Sequence, residues 1–387
     1  MSKTPAPTPQ EAREEYFEST PTGVEVEDDS PPSANDPEPW DPEKIRVHTK
    51  HFSLRQLVDM IADEDVDLAP DFQRLYVWKD WQRSALIESL LLGIPLPSFY
   101  LNENSDGKMQ VVDGVQRLTT IFMFVNTKSF KLKELTYLKA IENCGFDDLD
   151  PMYRRRLQTS QFVAHVIDPQ TPYRVKFEIF RRINTGGTPL SAQEIRHCMS
   201  LKRSRDFLKE LAADKSFLDA TGQALKNHPR LADREIVLRF LAFSIYSVDD
   251  YADIKGFDDF LGKATEYLDR NATDEQLTEL RDRFQKGMRL AYEVFGEHAF
   301  RKWPQGPSER RNPINRALVE TWGTVLASCD EALVLERVDT LVERARELMT
   351  ADFDPTFISA IVGSTSDIAR VRYRFSKVNE LAREVLE

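Results

Sequence analysis

Asp113, Gly114, Gln116 and Arg117 crowd polar chemistry into the middle of an otherwise apolar stretch, MQVVDGVQRLTTIFMFV (109–125). Residues 109–112 read as an apolar strand. After Asp113-Gly114, Leu118, Ile121, Phe122 and Val125 recur at helical spacing. A helix that starts at Gly114 leaves its first backbone N–H groups without intrahelical acceptors and carries partial positive charge there, so it can receive a phosphate. Arg117 is the informative residue, because a cation in the first turn opposes the helix dipole by about 0.3–1 kcal/mol. Local conflicts of this kind concentrate where a site demands them. On this reading Arg117 holds the phosphate, and its loss weakens ligand binding while leaving the fold's stability nearly unchanged. Asp113 has two readings that the residues leave open: an N-cap accepting backbone N–H groups, or a carboxylate that orients Mg2+ or an attacking water beside the phosphate.

The elements around this elbow follow from pattern and punctuation. IRVHTKHF (45–52) alternates as a strand and runs into Ser53 and Gln56, a capping box for a helix faced by Leu54, Leu57, Val58 and Ile61. In PDFQRLYVW (70–78), Gln73, Arg74, Tyr76 and Trp78 combine amide, guanidinium and aromatic faces that suit a phosphate and a stacked base. The same residues also suit a packed loop. WQRSALIESLLL (81–92) is a helix led by Asp80 as its cap and stopped at Gly93. A hairpin through 105–108 then feeds the elbow, and QFVAHVI (161–167) is a later alternating strand whose lone His165 reads as structural. A helix opened by Thr171-Pro172 runs to Ile183 and ends in Asn184-Thr185-Gly186-Gly187, where the glycines let backbone approach a ligand. Nearly everything from 202 to 387 has helical period.

With 387 residues and 41% hydrophobic side chains, the chain can bury a sizeable core behind a tail. Residues 1–44 hold nine prolines and a dense acidic run, and read as a disordered tail. No apolar run reaches the roughly 18 residues of a membrane span, and the start of the chain lacks the basic and apolar regions of a secretory signal, so a cytoplasmic location is expected and no membrane partner. Three scattered cysteines support neither disulfides nor a zinc site. A net charge of −12 argues against broad nonspecific attachment to nucleic acid, leaving DNA a weakly supported partner.

Four stretches, taken together, resemble a known family. QR-x-Y-x-W at 73–78, GIPLP at 93–97, DG-x-QR at 113–117 and F-x-x-INTGG-x-x-LS at 180–191 are similar, in order and spacing, to the amino-terminal domain of GmrSD-type modification-dependent restriction enzymes. The resemblance implies an α+β fold, a ParB/sulfiredoxin-like mixed α/β domain (45–201) followed by an α-helical domain (202–387). It implies a nucleoside-triphosphate site with Asp113, Gln116 and Arg117 as the catalytic set and Mg2+ held at Asp113. Gln73, Arg74, Tyr76, Trp78, Gly114, Asn184 and Thr185 form the expected nucleotide-binding set. The implied function is a triphosphate-hydrolysing switch in anti-phage defence that gates a separate effector acting on modified DNA. Two features depart from the family pattern. Val115 stands where the motif has glutamine, and the six histidines form no His-Asn-His nuclease cluster. A non-hydrolysing nucleotide sensor and a ParB-like DNA-binding protein or nuclease are the competing functions, and an oligomer is compatible with each.

Overall fold

The computed structural model describes residues 12–17, 19–27, 44–68, 78–183, 190–254, 256–306 and 311–387. The chain is α+β and divides into two compact units, one of Pro39–Met199 and one of Met1–Glu38 with Ser200–Glu387.

Two short strands, β1 (Glu14–Phe17) and β2 (Thr20–Glu25), form an antiparallel hairpin that belongs to the second unit. The first unit is built on a mixed sheet of β3 (Val47–Ser53), β4 (Val66–Asp67), β5 (Phe99–Glu103), β6 (Met109–Asp113) and β7 (Gln161–Ile167), in the order β3-β7-β5-β6-β4. β7 runs antiparallel to β3 and parallel to β5; β6 runs antiparallel to β5 and parallel to β4. The period-2 alternation read in the sequence assigns each side chain to a face. Phe99, Leu101, Val111, Phe162, Ala164 and Val166 point into one core with α1 (Leu54–Ala62), α2 (Asp80–Leu92) and α3 (Val115–Val125). Val112 and Ile167 point the other way, against α5 (Tyr173–Ile183) and α6 (Ala192–Met199). α4 (Pro151–Thr159) leads into β7. Cap chemistry sets most helix ends: the Ser53 hydroxyl accepts from Gln56 N–H at 3.2 Å, and Gly93 closes α2 in the left-handed region at φ +79°. One cap shifts from expectation, since Lys79 precedes α2 and Asp80 is its first residue, paired with Arg83 at 2.7 Å. His165 is the structural residue expected, with its ring 5.0 Å from that of Tyr100 and Nδ1 3.3 Å from the Thr49 hydroxyl.

The second unit is helical, with α7 (Lys202–Ala212), α8 (Lys215–Thr221), α9 (Ala232–Ile245), α10 (Val248–Ala252), α11 (Phe257–Glu266), the long α12 (Asp274–Phe295), α13 (Arg316–Ser328), α14 (Glu331–Glu336), α15 (Val338–Leu348), α16 (Pro355–Val362) and α17 (Ile368–Leu386). Its core is aromatic, with Phe217, Phe240, Phe260, Phe284 and Phe357 fully buried. Here the structure corrects the reading of 1–44 as disordered throughout, because the hairpin within it is docked. β2 bonds to the 314 segment through Glu25 N–H to Ile314 O and Ile314 N–H to Gly23 O, both 2.8 Å. Val24 is fully buried in the aromatic core's cluster. Among the described residues of this segment, Glu15, Glu25 and Glu27 are counter-ions rather than solvated charges. Glu27 takes a bidentate pair from Arg239 at 2.8 and 2.6 Å and a bond from the Thr365 hydroxyl at 2.6 Å. Glu15 takes a bidentate pair from Arg316 at 2.9 and 3.2 Å, and Glu25 receives Lys302 at 2.6 Å and Asn315 at 3.0 Å. Arg239 and Arg316 lie on α9 and α13 with side chains only 7% exposed, and the N-terminal segment adds Glu15 and Glu27 to the carboxylates that Glu235 and Glu320 already offer them in the interior.

Burial alone would raise the Glu27 pKa, but Arg239 and then Arg316 overcome it and hold it at about 2, below the ordinary 4.5. A folded-state pKa below the unfolded one gives stability that is present above pH 4.5 and is lost as pH falls toward 2. Burial pushes Glu320 upward, which pulls the other way, so the assignment rests on a difference between proteins. Acid titration of stability should fall more steeply for the native chain than for Glu27→Gln between these pH values. At neutral pH, Glu27→Ala should cost about 3–5 kcal/mol in chemical denaturation, as for a buried pair that loses one partner.

Candidate functional site

The elbow forms as the residues suggest, but its internal contacts differ. β6 ends at Asp113, α3 starts at Val115, and Gly114 alone makes the turn at φ +97°. A side chain is excluded there on two counts. The backbone lies where L-residues are strained, and a Cβ would sit 2.3 Å from the Phe99 ring. The chain therefore passes from strand to helix within one residue, and the first turn of α3 begins directly beside the end of β6. Gly114 is also the helix's N-cap, without a side-chain cap bond. This sets aside the N-cap reading of Asp113.

Asp113 instead pairs with Arg117, Oδ2 accepting from an Nη2 N–H at 3.0 Å, and its side chain is 41% exposed. The same guanidinium donates to the carbonyl oxygens of Pro97 and, at 3.3 Å, of Ser98, and lies over the Phe99 ring at 4.6 Å. Its side chain is 14% exposed, and burial pulls its pKa down against the opposing pull of Asp113. The conflict of a first-turn cation with the helix dipole thus has an explanation inside the fold. Arg117 ties the start of β5 to the elbow, which corrects the expectation that the fold is indifferent to it. Three of the roughly five guanidinium donors are engaged, so the head retains donors for an anion at the helix terminus.

The two carbonyl acceptors for Arg117 come from Pro97, the last residue of GIPLP, and from Ser98 just after it. The sequence displays this motif without revealing its role. Proline at 95 and 97 has no N–H, so this segment cannot join a ladder through those residues, and its carbonyls are left to other donors. That feature is the signal that could have pointed to it. Gln116 is half-buried on the first turn, with Thr120 Oγ1 donating to its carbonyl at 2.7 Å. Val115 lies half-buried against the core shared by α1, α2 and α3, so its apolar character is absorbed by packing. Trp78 is partly buried against that same core. Of the expected site, then, Asp113, Gly114, Gln116 and Arg117 are brought together. Gln73, Arg74 and Tyr76, as well as Asn184 and Thr185, lie outside the described residues. Among the described residues no group of three or more His, Cys, Asp or Glu side chains could hold a metal ion, and no helix is long and apolar enough to cross a membrane.

The sheet, the flanking helices and the glycine elbow define a mixed α/β domain with an anion-receptive helix start beside an acidic strand end. Residues 54–201 match the family model of the GmrSD restriction endonuclease, N-terminal domain, the family that the four motifs resemble. No curated protein matches the chain.

Two substitutions separate the elbow's parts. Arg117→Ala should lower stability by about 1.5–3 kcal/mol through its lost charge-assisted bonds, read as a melting point several degrees lower without ligand. Gly114→Ala should be at least as damaging, because strain of about 1–3 kcal/mol adds to the clash with Phe99. An unchanged melting point for Arg117→Ala would return that residue to a purely ligand-directed role.

Proposed function

We propose that the chain is the nucleotide-responsive component of a restriction-like defence system: it binds a nucleoside triphosphate at the elbow and hydrolyses it to gate a separate effector that acts on modified DNA. The observation that carries this reading is the juxtaposition at Gly114, where the positive end of α3 and the Arg117 head stand beside the half-exposed Asp113 carboxylate. The first-turn N–H groups suit phosphoryl oxygens, and a triphosphate makes better use of this potential than a monophosphate. Asp113 fits Mg2+, which usually rests on one or two carboxylates and on the substrate's own phosphates, and the ion would supply charge neutralisation there. Asp113, with its outer oxygen without a contact among the described residues, is the group able to orient a water at the same point. Gln116, one residue before Arg117, is the further polar contact on that turn.

A second reading, a sensor that binds nucleotide without turnover, is favoured by Val115, whose side chain belongs to the core where the family motif offers an amide. Phosphate release by the purified chain decides between them. Calorimetry with nucleoside triphosphates and Mg2+ should show binding that Asp113→Asn weakens about ten-fold or more, the scale of one charge-assisted contact. Turnover that disappears in the same variant supports the switch; binding with no phosphate release supports the sensor. No triphosphate binding at all would remove both. With no His-Asn-His cluster among the six histidines, the purified chain alone should leave DNA intact.

A further inference from the structure

The helical unit holds a group of cations that the nucleotide reading does not use. A cavity of about 310 Å3 opens between the hairpin and the 311–313 segment, with Arg301 and Arg311 on one wall and Glu14 and Gly23 on the other. This volume lies at the lower end of the size of small-molecule sites, roughly 300–1,000 Å3.

Arg301 is only 4% exposed, yet its hydrogen-bond partners among the described residues are all neutral: Nε donates to Glu297 O at 3.1 Å, Nη2 to Thr221 O at 2.8 Å, and Nη1 to Asn312 O. A buried guanidinium normally faces a carboxylate or a phosphate. Arg301 uses three donors of about five and has no ion pair among the described residues. Arg311 is exposed at the mouth, held only by long contacts to Thr221 O at 3.4 Å and Gly222 O at 3.5 Å. Burial first, and the Arg311 charge second, push the Arg301 pKa down to about 10, and the Glu14 and Glu297 carboxylates do not restore it. Glu14 is itself engaged, with Oε1 accepting Gly23 N–H at 2.7 Å.

Two glycines shape the space. Gly222, at φ +61°, lies so close under the Arg311 guanidinium that any Cβ would collide with it, and Gly23, at φ +79°, would meet Ala224 at 2.9 Å. The pocket is therefore built by backbone that no other residue could supply without displacing an arginine or the hairpin.

We propose that the Arg301–Arg311 pocket of the helical unit binds a compact phosphate dianion, either inorganic phosphate or the terminal phosphate of a small phosphorylated molecule. The planar donor pairs of two arginines match phosphate oxygens in the way a fork matches its load-free partner, by two parallel N–H bonds at a time. Glu14 on the facing wall limits the net charge the pocket can accept and favours a small ligand over a polyanion.

Phosphorus NMR of the full chain tests this. Orthophosphate and glycerol phosphate should each broaden on adding wild-type protein, and comparison of the two distinguishes the free ion from the monoester. Arg311→Gln should weaken binding about ten-fold or more, the worth of a charge-assisted pair, while its melting point stays at the wild-type value because Arg311 is exposed. Arg301→Lys keeps the charge but not the fork and should weaken binding as well. Wild-type protein that broadens neither signal, or Arg311→Gln that binds as wild type does, overturns the proposal. Displacement of orthophosphate by a short DNA duplex overturns the small-ligand assignment.

Discussion

Gly114 must be left-handed and must lack a side chain, and the first unit's site depends on that constraint. Its Cα is pressed against the Phe99 ring of the neighbouring strand, so strand β6 and helix α3 meet without an intervening loop. A longer connection would let the helix start drift from the strand end. With none, the dipole's positive end, the Asp113 carboxylate and the Arg117 guanidinium share one corner whose geometry is set by sheet packing. Arg117 reinforces the corner by reaching back to the 97–98 carbonyls, so the group that looks most like a ligand contact is also a brace. On the proposed reading, binding and structure converge on one side chain, a common consequence of building a site on rigid elements.

The helical unit solves a different problem. Packing α9 against α13 brings Arg239, Arg316, Glu235 and Glu320 into an interior otherwise filled with phenylalanine. Arg374 of α17 pairs with Glu320 at full burial. Such a network tolerates no missing member, since an unpaired buried charge costs far more than the pair contributes. The N-terminal segment supplies further carboxylates from the other end of the chain, with Glu27 meeting Arg239 across 212 positions. An acidic, proline-rich composition thus serves folding here at Glu15, Glu25 and Glu27.

The match of residues 54–201 to the GmrSD N-terminal domain spans β5, β6, α3 and the GIPLP brace. The helical unit lies almost wholly outside it, and its charge network and arginine pocket stand on their own geometry.

By itself the sequence determined the elements whose signals are local. The strand at 161–167, the turn at Gly93, the elbow at 113–114 and the helical period beyond 202 were all legible, because alternation, 3.6-residue spacing and glycine punctuation act within a few residues. The proposed site's central set, Asp113, Gln116 and Arg117, could be picked out for the same reason: its members are adjacent at one strand-to-helix turn. Only the tertiary structure decided what each of them touches. Of the two local possibilities for Asp113, the cap position went to Gly114, and the carboxylate pairs with Arg117, which lies within reach four residues on. Arg117 was read as a strained cation, but its partners arrive from residues 97–99, and no local pattern announces a carbonyl folded back from a neighbouring strand. The hairpin was misread for the same physical reason. A glutamate in a polar segment looks solvated until the fold brings it to a buried arginine more than 200 positions away, and the energy of that pairing is a property of the assembled core.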